Sequence, residues 1–111
     1  MQEPRQAMVF ASIADGDKAA MAVWFDNGGH VDATIETPLN GKVVTDLTML
    51  MLASAQGHAS LVEQLLTHGA SVDLQDSDGL TALAYAAFAG EAALVRRLLR
   101  AGAQMLSLIH I

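Results

Sequence analysis

Apolar positions in the second half of the chain recur at i, i+1, i+4 and i+5. Leu61, Val62, Leu65 and Leu66 form one such set, and Leu94, Val95, Leu98 and Leu99 form the next. That spacing puts four side chains on one face of a helix. It predicts helices over about 58–67 and 91–100. Each is preceded by an alanine-rich apolar stretch that predicts a shorter helix, over about 48–56 and 81–89. Thr48 and Thr81 head these stretches, where a hydroxyl can accept from the unpaired N–H groups of a first helical turn. Gly57 and Gly90 close the short helices, and Gly69 and Gly102 close the long ones, at places where a left-handed backbone costs glycine little. After Gly69, residues 71–74 alternate polar and apolar, which reads as a short extended arm.

The pattern is a repeat. Gly57 maps onto Gly90 and Gly69 onto Gly102, both 33 residues on. A weaker copy precedes them, with Ala20, Met21, Trp24 and Phe25 on its apolar face and Gly16 and Gly28 at its helix ends. In all three copies the two glycines are 12 positions apart. Gly28-Gly29 reads as a helix stop. Trp24, Phe25 and the run Met49-Leu50-Met51 fall on helical faces that read as core between neighbouring copies.

The first and second copies are further apart than the period, Gly16 and Gly57 being 41 residues apart. The excess lies in about 34–46 and centres on Asn40-Gly41, a strong signal for a tight two-residue hairpin. The flanks 35–39 and 42–45 carry β-branched residues, and Pro38 suits an edge strand. Two readings stand side by side. The finger is a tolerated surface insertion, since loop length costs little, or it is a protruding contact element.

The segment Asp76-Ser77-Asp78-Gly79-Leu80-Thr81-Ala82-Leu83-Ala84-Tyr85 identifies the family. With the 33-residue period, it resembles the ankyrin repeat and its Thr-Pro-Leu-His signature. Thr81 and Leu83 match, while Ala82 and Ala84 replace the proline and histidine. Thr48 and Leu50 match in the middle copy, and Gly57-His58 matches the family's Gly-His. The resemblance implies an all-α repeat solenoid of helix-turn-helix units with short hairpin connections, one of them extended. It implies one domain over 1–111, with repeats at about 5–33, 46–75 and 76–104. The lost proline and histidine imply weaker hydrogen bonding in the turns.

The resemblance also implies a protein-binding module, with contacts at hairpin tips and the exposed side of the first helices. Carried onto this chain, those positions are Leu47, Ala55 and Gln56 in the second copy. In the third they are Gln75, Ser77, Asp78, Leu80, Phe88 and Ala89. Asn40, Gly41 and Lys42 at the finger's tip join them. Leu80 and Phe88 are apolar where solvent is expected. A regulatory or targeting segment of a larger multidomain protein, such as an enzyme, is the alternative.

Composition narrows the classes. The chain is 52% hydrophobic and 16% charged, which excludes a disordered charged tail. A formal net charge of −6 argues against nucleic acid and anionic membranes as partners. Cysteine is absent, so there is no disulfide or thiolate chemistry. Residues 1–6 lack the order of a signal peptide, and no apolar run is long enough for a membrane span. The expectation is a soluble intracellular protein, cytoplasmic or nuclear.

Catalytic and metal motifs are weak. Asp73, Asp76 and Asp78 before Gly79 hint at a calcium loop, but the pattern wants an acid at Leu74 and another at Tyr85. Turn chemistry is the ordinary reading. His30, His58, His68 and His110 lack ligand spacing, and His58 reads as a helix-capping residue. No serine has a nucleophile-elbow context. Arg96, Arg97 and Arg100 read as a solvated face, with an acidic partner as the alternative. No enzyme, cofactor or metal is expected. The ending Met105-Leu106-Ser107-Leu108-Ile109-His110-Ile111 matches no repeat position. It resembles translated sequencing-adapter read-through and implies a truncated frame; a short apolar strand or helix shielding the last repeat is the other reading. An uncapped last repeat implies self-association.

Overall fold

The computed structural model describes residues 10–13, 15–39 and 41–102. Within them, residues 10–13 are helical, followed by α1 (Lys18–Asp26), β1 (Thr34–Leu39), β2 (Lys42–Thr48), α2 (Met49–Ala55), α3 (Ala59–Thr67), α4 (Ala82–Phe88) and α5 (Ala92–Arg100). The helices keep the period of the glycines: α2 becomes α4, and α3 becomes α5, one repeat later. The reading of 105–111 lies outside the described residues.

Each first helix starts where the sequence provides a cap. The Thr48 hydroxyl accepts from Met51 N at 3.2 Å, and the Thr81 hydroxyl accepts from Ala84 N at 3.4 Å. Asp17 does the same for α1, accepting from Ala20 N at 3.1 Å. His58 takes the N-cap position of α3, but its side chain makes no capping hydrogen bond. Between the helices of each pair the chain reverses at Gly16, Gly57 and Gly90, whose φ angles agree at 76°, 74° and 75°. A side chain there would be strained by the left-handed backbone.

The core is the set of faces predicted from periodicity. Leu61, Val62, Leu65, Leu94 and Leu98 are buried, as are Met21 and Trp24. Their partners Phe25, Leu66, Val95 and Leu99 are half-buried against the same cluster. Burying one such leucine is worth about 1.5–3 kcal/mol. Met49, Leu50 and Met51 are core as well. In α2 and α4, buried Ala53, Ala82, Ala84 and Ala86 keep the surfaces shallow enough for the two helices to pack side by side.

The 34–46 insertion is a two-stranded antiparallel sheet. Leu39 pairs with Lys42 across the tight turn, and Ile35 pairs with Leu47. Between the pairs Ile35–Leu47 and Thr37–Val44 the register shifts. Thr45 and Asp46 there oppose the single residue Glu36, which is a β-bulge. Asp46 takes φ 61°, in the position where the third copy has Gly79. Val44 and Leu47 point into the core, while Val43 remains 60% exposed. The finger is therefore rooted in the fold. The extended arm expected at 71–74 is absent. Val72 and Asp73 form a turn instead, and the Ser71 N–H and hydroxyl each donate to the Asp32 carboxylate at 2.9 Å.

Gly29 has a role beyond stopping a helix. Trp24 stands where the other copies have Leu65 and Leu98, and a methyl on Gly29 would overlap its ring. Its indole N–H reaches the His30 carbonyl at 3.1 Å. Gly29→Ala is expected to lower stability by about 1–3 kcal/mol through overpacking, read as a fall of at least about 4 °C in thermal midpoint. Asp46→Gly is expected to do the reverse. Relief of a left-handed non-glycine residue, about 1–2 kcal/mol, outweighs the added unfolded-chain entropy of about 0.4–1 kcal/mol. The same melting experiment checks both.

Candidate functional groove

Side-by-side packing of α2 and α4 leaves a trough on the side away from the second helices. Leu47, Met51, Leu52, Ala55 and Gln56 line it from the second copy, and Tyr85, Phe88 and Ala89 from the third. Its volume is about 260 Å³. Ala55 and Phe88 occupy equivalent repeat positions, so the aromatic ring rises above a floor set by a methyl group. Phe88 is 57% exposed.

The edge of the trough is built by the hairpin and the turn before α4. The Thr45 N–H donates to Ser77 Oγ at 3.0 Å, and the Ser77 N–H donates to the Thr45 carbonyl at 2.9 Å. Lys42 Nζ lies 2.6 Å from Asp78 Oδ1. That hydrogen bond, and then the charge of Asp78, raises the lysine's pKa above its ordinary value. The pair is exposed and does little for stability.

Asp76 organises the turn. It is buried, and its Oδ1 accepts from the N–H groups of Asp78 at 2.8 Å and Leu80 at 3.0 Å. Its Oδ2 accepts from the Tyr85 hydroxyl at 2.5 Å. The Asp76–Tyr85 bond anchors the turn to α4, in a copy that lacks the signature proline and histidine. Turn chemistry thus accounts for Asp76, while the Asp78 carboxylate is taken by Lys42. Among the described residues no group of three or more His, Asp or Glu side chains could hold a metal ion.

Most of the sequence-derived positions fall into two groups. Leu47, Ala55, Gln56, Phe88 and Ala89 meet in the trough. Leu47 needs correction: it is 1% exposed, because β2 runs on through it and turns it inward opposite Ile35. It is floor rather than tip. Lys42, Ser77 and Asp78 gather at the edge, bonded across it rather than standing clear as tips. Gly41 and Gln75 are exposed and Leu80 is half-buried; Asn40 lies outside the described residues. Met51, Leu52 and Tyr85 were missed. Helical spacing points to them, since Leu52 precedes Ala55 and Gln56 by one turn, as Tyr85 precedes Phe88 and Ala89.

Of the remaining candidates, Arg97, His68 and His30 have structural partners. Arg97 Nε lies 2.5 Å from Glu63 Oε2, joining α5 to α3. Arg96, Arg97 and Arg100 border a second shallow depression on that side. His68 stacks on Phe25 with ring centroids 3.9 Å apart, and His30 Nδ1 accepts from Asp32 N at 3.1 Å. His110 lies outside the described residues.

Tyr85 is the chain's single tyrosine. Burial, then the hydrogen bond to Asp76, raises its pKa above the ordinary 10.0. The folded hydroxyl keeps its proton where an unfolded one ionises. The resulting stability is complete below about pH 10 and falls as pH rises beyond it. Tyrosinate absorbance is expected to stay flat through pH 10 and to rise only with loss of helical circular dichroism. Tyr85→Phe is expected to cost about 1–3 kcal/mol at neutral pH and to flatten the alkaline slope.

The helix pairs, their left-handed glycine reversals and the threonine-capped first helices recur in register. A family model described as ankyrin repeats, three copies, matches residues 9–107, nearly the whole chain, and its copy number agrees with the three glycine-bounded units. The chain belongs to the ankyrin-repeat family.

Proposed function

We propose that this chain is a non-catalytic protein-binding module, a small solenoid that holds a partner polypeptide in the α2–α4 groove and against the hairpin edge. Ankyrin repeats generally mediate protein–protein interaction. Stacked repeats offer extended surfaces rather than deep pockets. The groove follows that rule: at about 260 Å³ it is below the roughly 300–1,000 Å³ of ordinary small-molecule sites. It suits one or two side chains of a larger ligand.

One observation supports this reading above the rest. Phe88 stands 57% exposed at the rim of an apolar trough, and aromatic anchors in such places commonly dominate interfaces. Phe88→Ala is expected to leave helicity and thermal midpoint nearly unchanged. It should weaken partner capture by about 2 kcal/mol, roughly thirtyfold. The measurement is affinity capture by immobilised wild type and variant, followed by titration of the captured protein. Capture that ignores Phe88→Ala removes the groove from the proposal. A variant that unfolds makes Phe88 part of the core.

A further inference from the structure

We infer that the depression between α3 and α5 is a second binding site, and that it takes a phosphorylated serine or threonine side chain of a partner protein. The site lies apart from the α2–α4 groove and is independent of it.

The observation is a concentration of arginine. The chain has a formal charge of −6, yet three of its six Lys and Arg residues are Arg96, Arg97 and Arg100 of α5. All three line one shallow depression of about 330 Å³, together with Ala59 and Glu63 of α3 and with Ala93 and Leu94. Arg100 follows Arg97 by three residues and Arg96 by four, so the three side chains rise from neighbouring places on the helix. Arg97 is held by Glu63. Arg96 and Arg100 are exposed and, among the described residues, make no hydrogen bond or ion pair.

The repeat does not require these arginines. One 33-residue period earlier, their positions hold Glu63, Gln64 and Thr67 in α3, and in α1 they hold Ala22, Val23 and Asp26. A cation near a helix C-terminus complements the helix dipole, but α1 and α3 end without one. Like charges one turn apart also repel, so stability of α5 is a poor account of Arg96 beside Arg100. An anion bound across them turns that repulsion into attraction.

Charge selects the anion. Three guanidinium groups against one carboxylate leave the lining with two net positive charges. A phosphorylated side chain carries about −1.5 to −2 at neutral pH on three acceptor oxygens, which guanidinium forks bind bidentately. A single carboxylate leaves about half of the lining's charge unanswered, and a run of carboxylates needs more room than one shallow depression gives. Lipid and nucleic acid fit less well. Leu94 and Leu98 of α5 are buried and no aromatic ring lines the depression, so little is left to enter a bilayer or to stack on bases.

The test is retention of the purified chain on three bead-bound peptide libraries with the same randomised flanks and a fixed central phosphoserine, serine or glutamate. An enriched phosphopeptide is then titrated against the wild type, the double variant Arg96→Ala/Arg100→Ala, and Phe88→Ala. The double variant keeps the Arg97–Glu63 pair, and circular dichroism checks that each variant folds. Retention on the phosphoserine library alone is expected. Affinity should fall about tenfold or more in the double variant, weaken with added salt and stay unchanged in Phe88→Ala. Equal retention on the glutamate library overturns the phosphate and leaves an acidic partner. Loss of binding in Phe88→Ala places the peptide in the groove and overturns the second site, as do binding indifferent to the double variant and no retention on any library. Phosphatidylserine vesicles that bind through Arg96 and Arg100 where phosphopeptides do not make the surface a membrane contact instead.

Discussion

The fold depends on a deficit within each repeat. A pair of short helices joined by a left-handed glycine cannot cover its own apolar face, so it must lie against the pair beside it. Leu61, Leu65, Leu94 and Leu98 are buried because the neighbour is there. The alanines of α2 and α4 let the first helices come close, and that closeness creates the groove. The binding surface is thus a by-product of the packing rule: helices that nestle through methyl groups leave larger residues at their exposed margin.

Two departures from regularity shape that surface. The first is the hairpin between the first and second copies. Its inner side is rooted through Val44 and Leu47, and Thr45 between them is joined to the next turn at Ser77. The second is the replacement of signature residues in the third copy. There a buried aspartate and the tyrosine hydroxyl hold the turn to the helix, and the same tyrosine ring lines the groove. Anchoring and surface chemistry share one side chain.

Much of this was legible in the chain itself. Helical periodicity identified the buried faces, and glycine spacing located the reversals, because both are local rules. Threonine caps were legible for the same reason. The Asn40-Gly41 signal predicted the hairpin, but not its bulge, since Asp46 stands in a place where glycine is the usual marker. Leu47 was read as exposed because the length of β2 depends on pairing with β1, which is not encoded in its immediate neighbours. The Trp24–Gly29 fit and the Asp76–Tyr85 bond were also illegible, being matters of shape and distance between elements. Five of the eight groove residues were foreseen from repeat position; of the three missed, Leu52 and Tyr85 follow from the same helix a turn earlier.

The join at Thr45 and Ser77 has a consequence for how the stack comes apart. In a linear array, terminal units fray independently unless nearest-neighbour coupling is strong. Here two hydrogen bonds between Thr45 and Ser77 bridge residues more than thirty positions apart, in addition to the helix contact. Opening of the third copy therefore has to break bonds to the hairpin of the second as well as the helix contact. The groove exists only while both copies are folded against each other, so a ligand that fills it holds the two together.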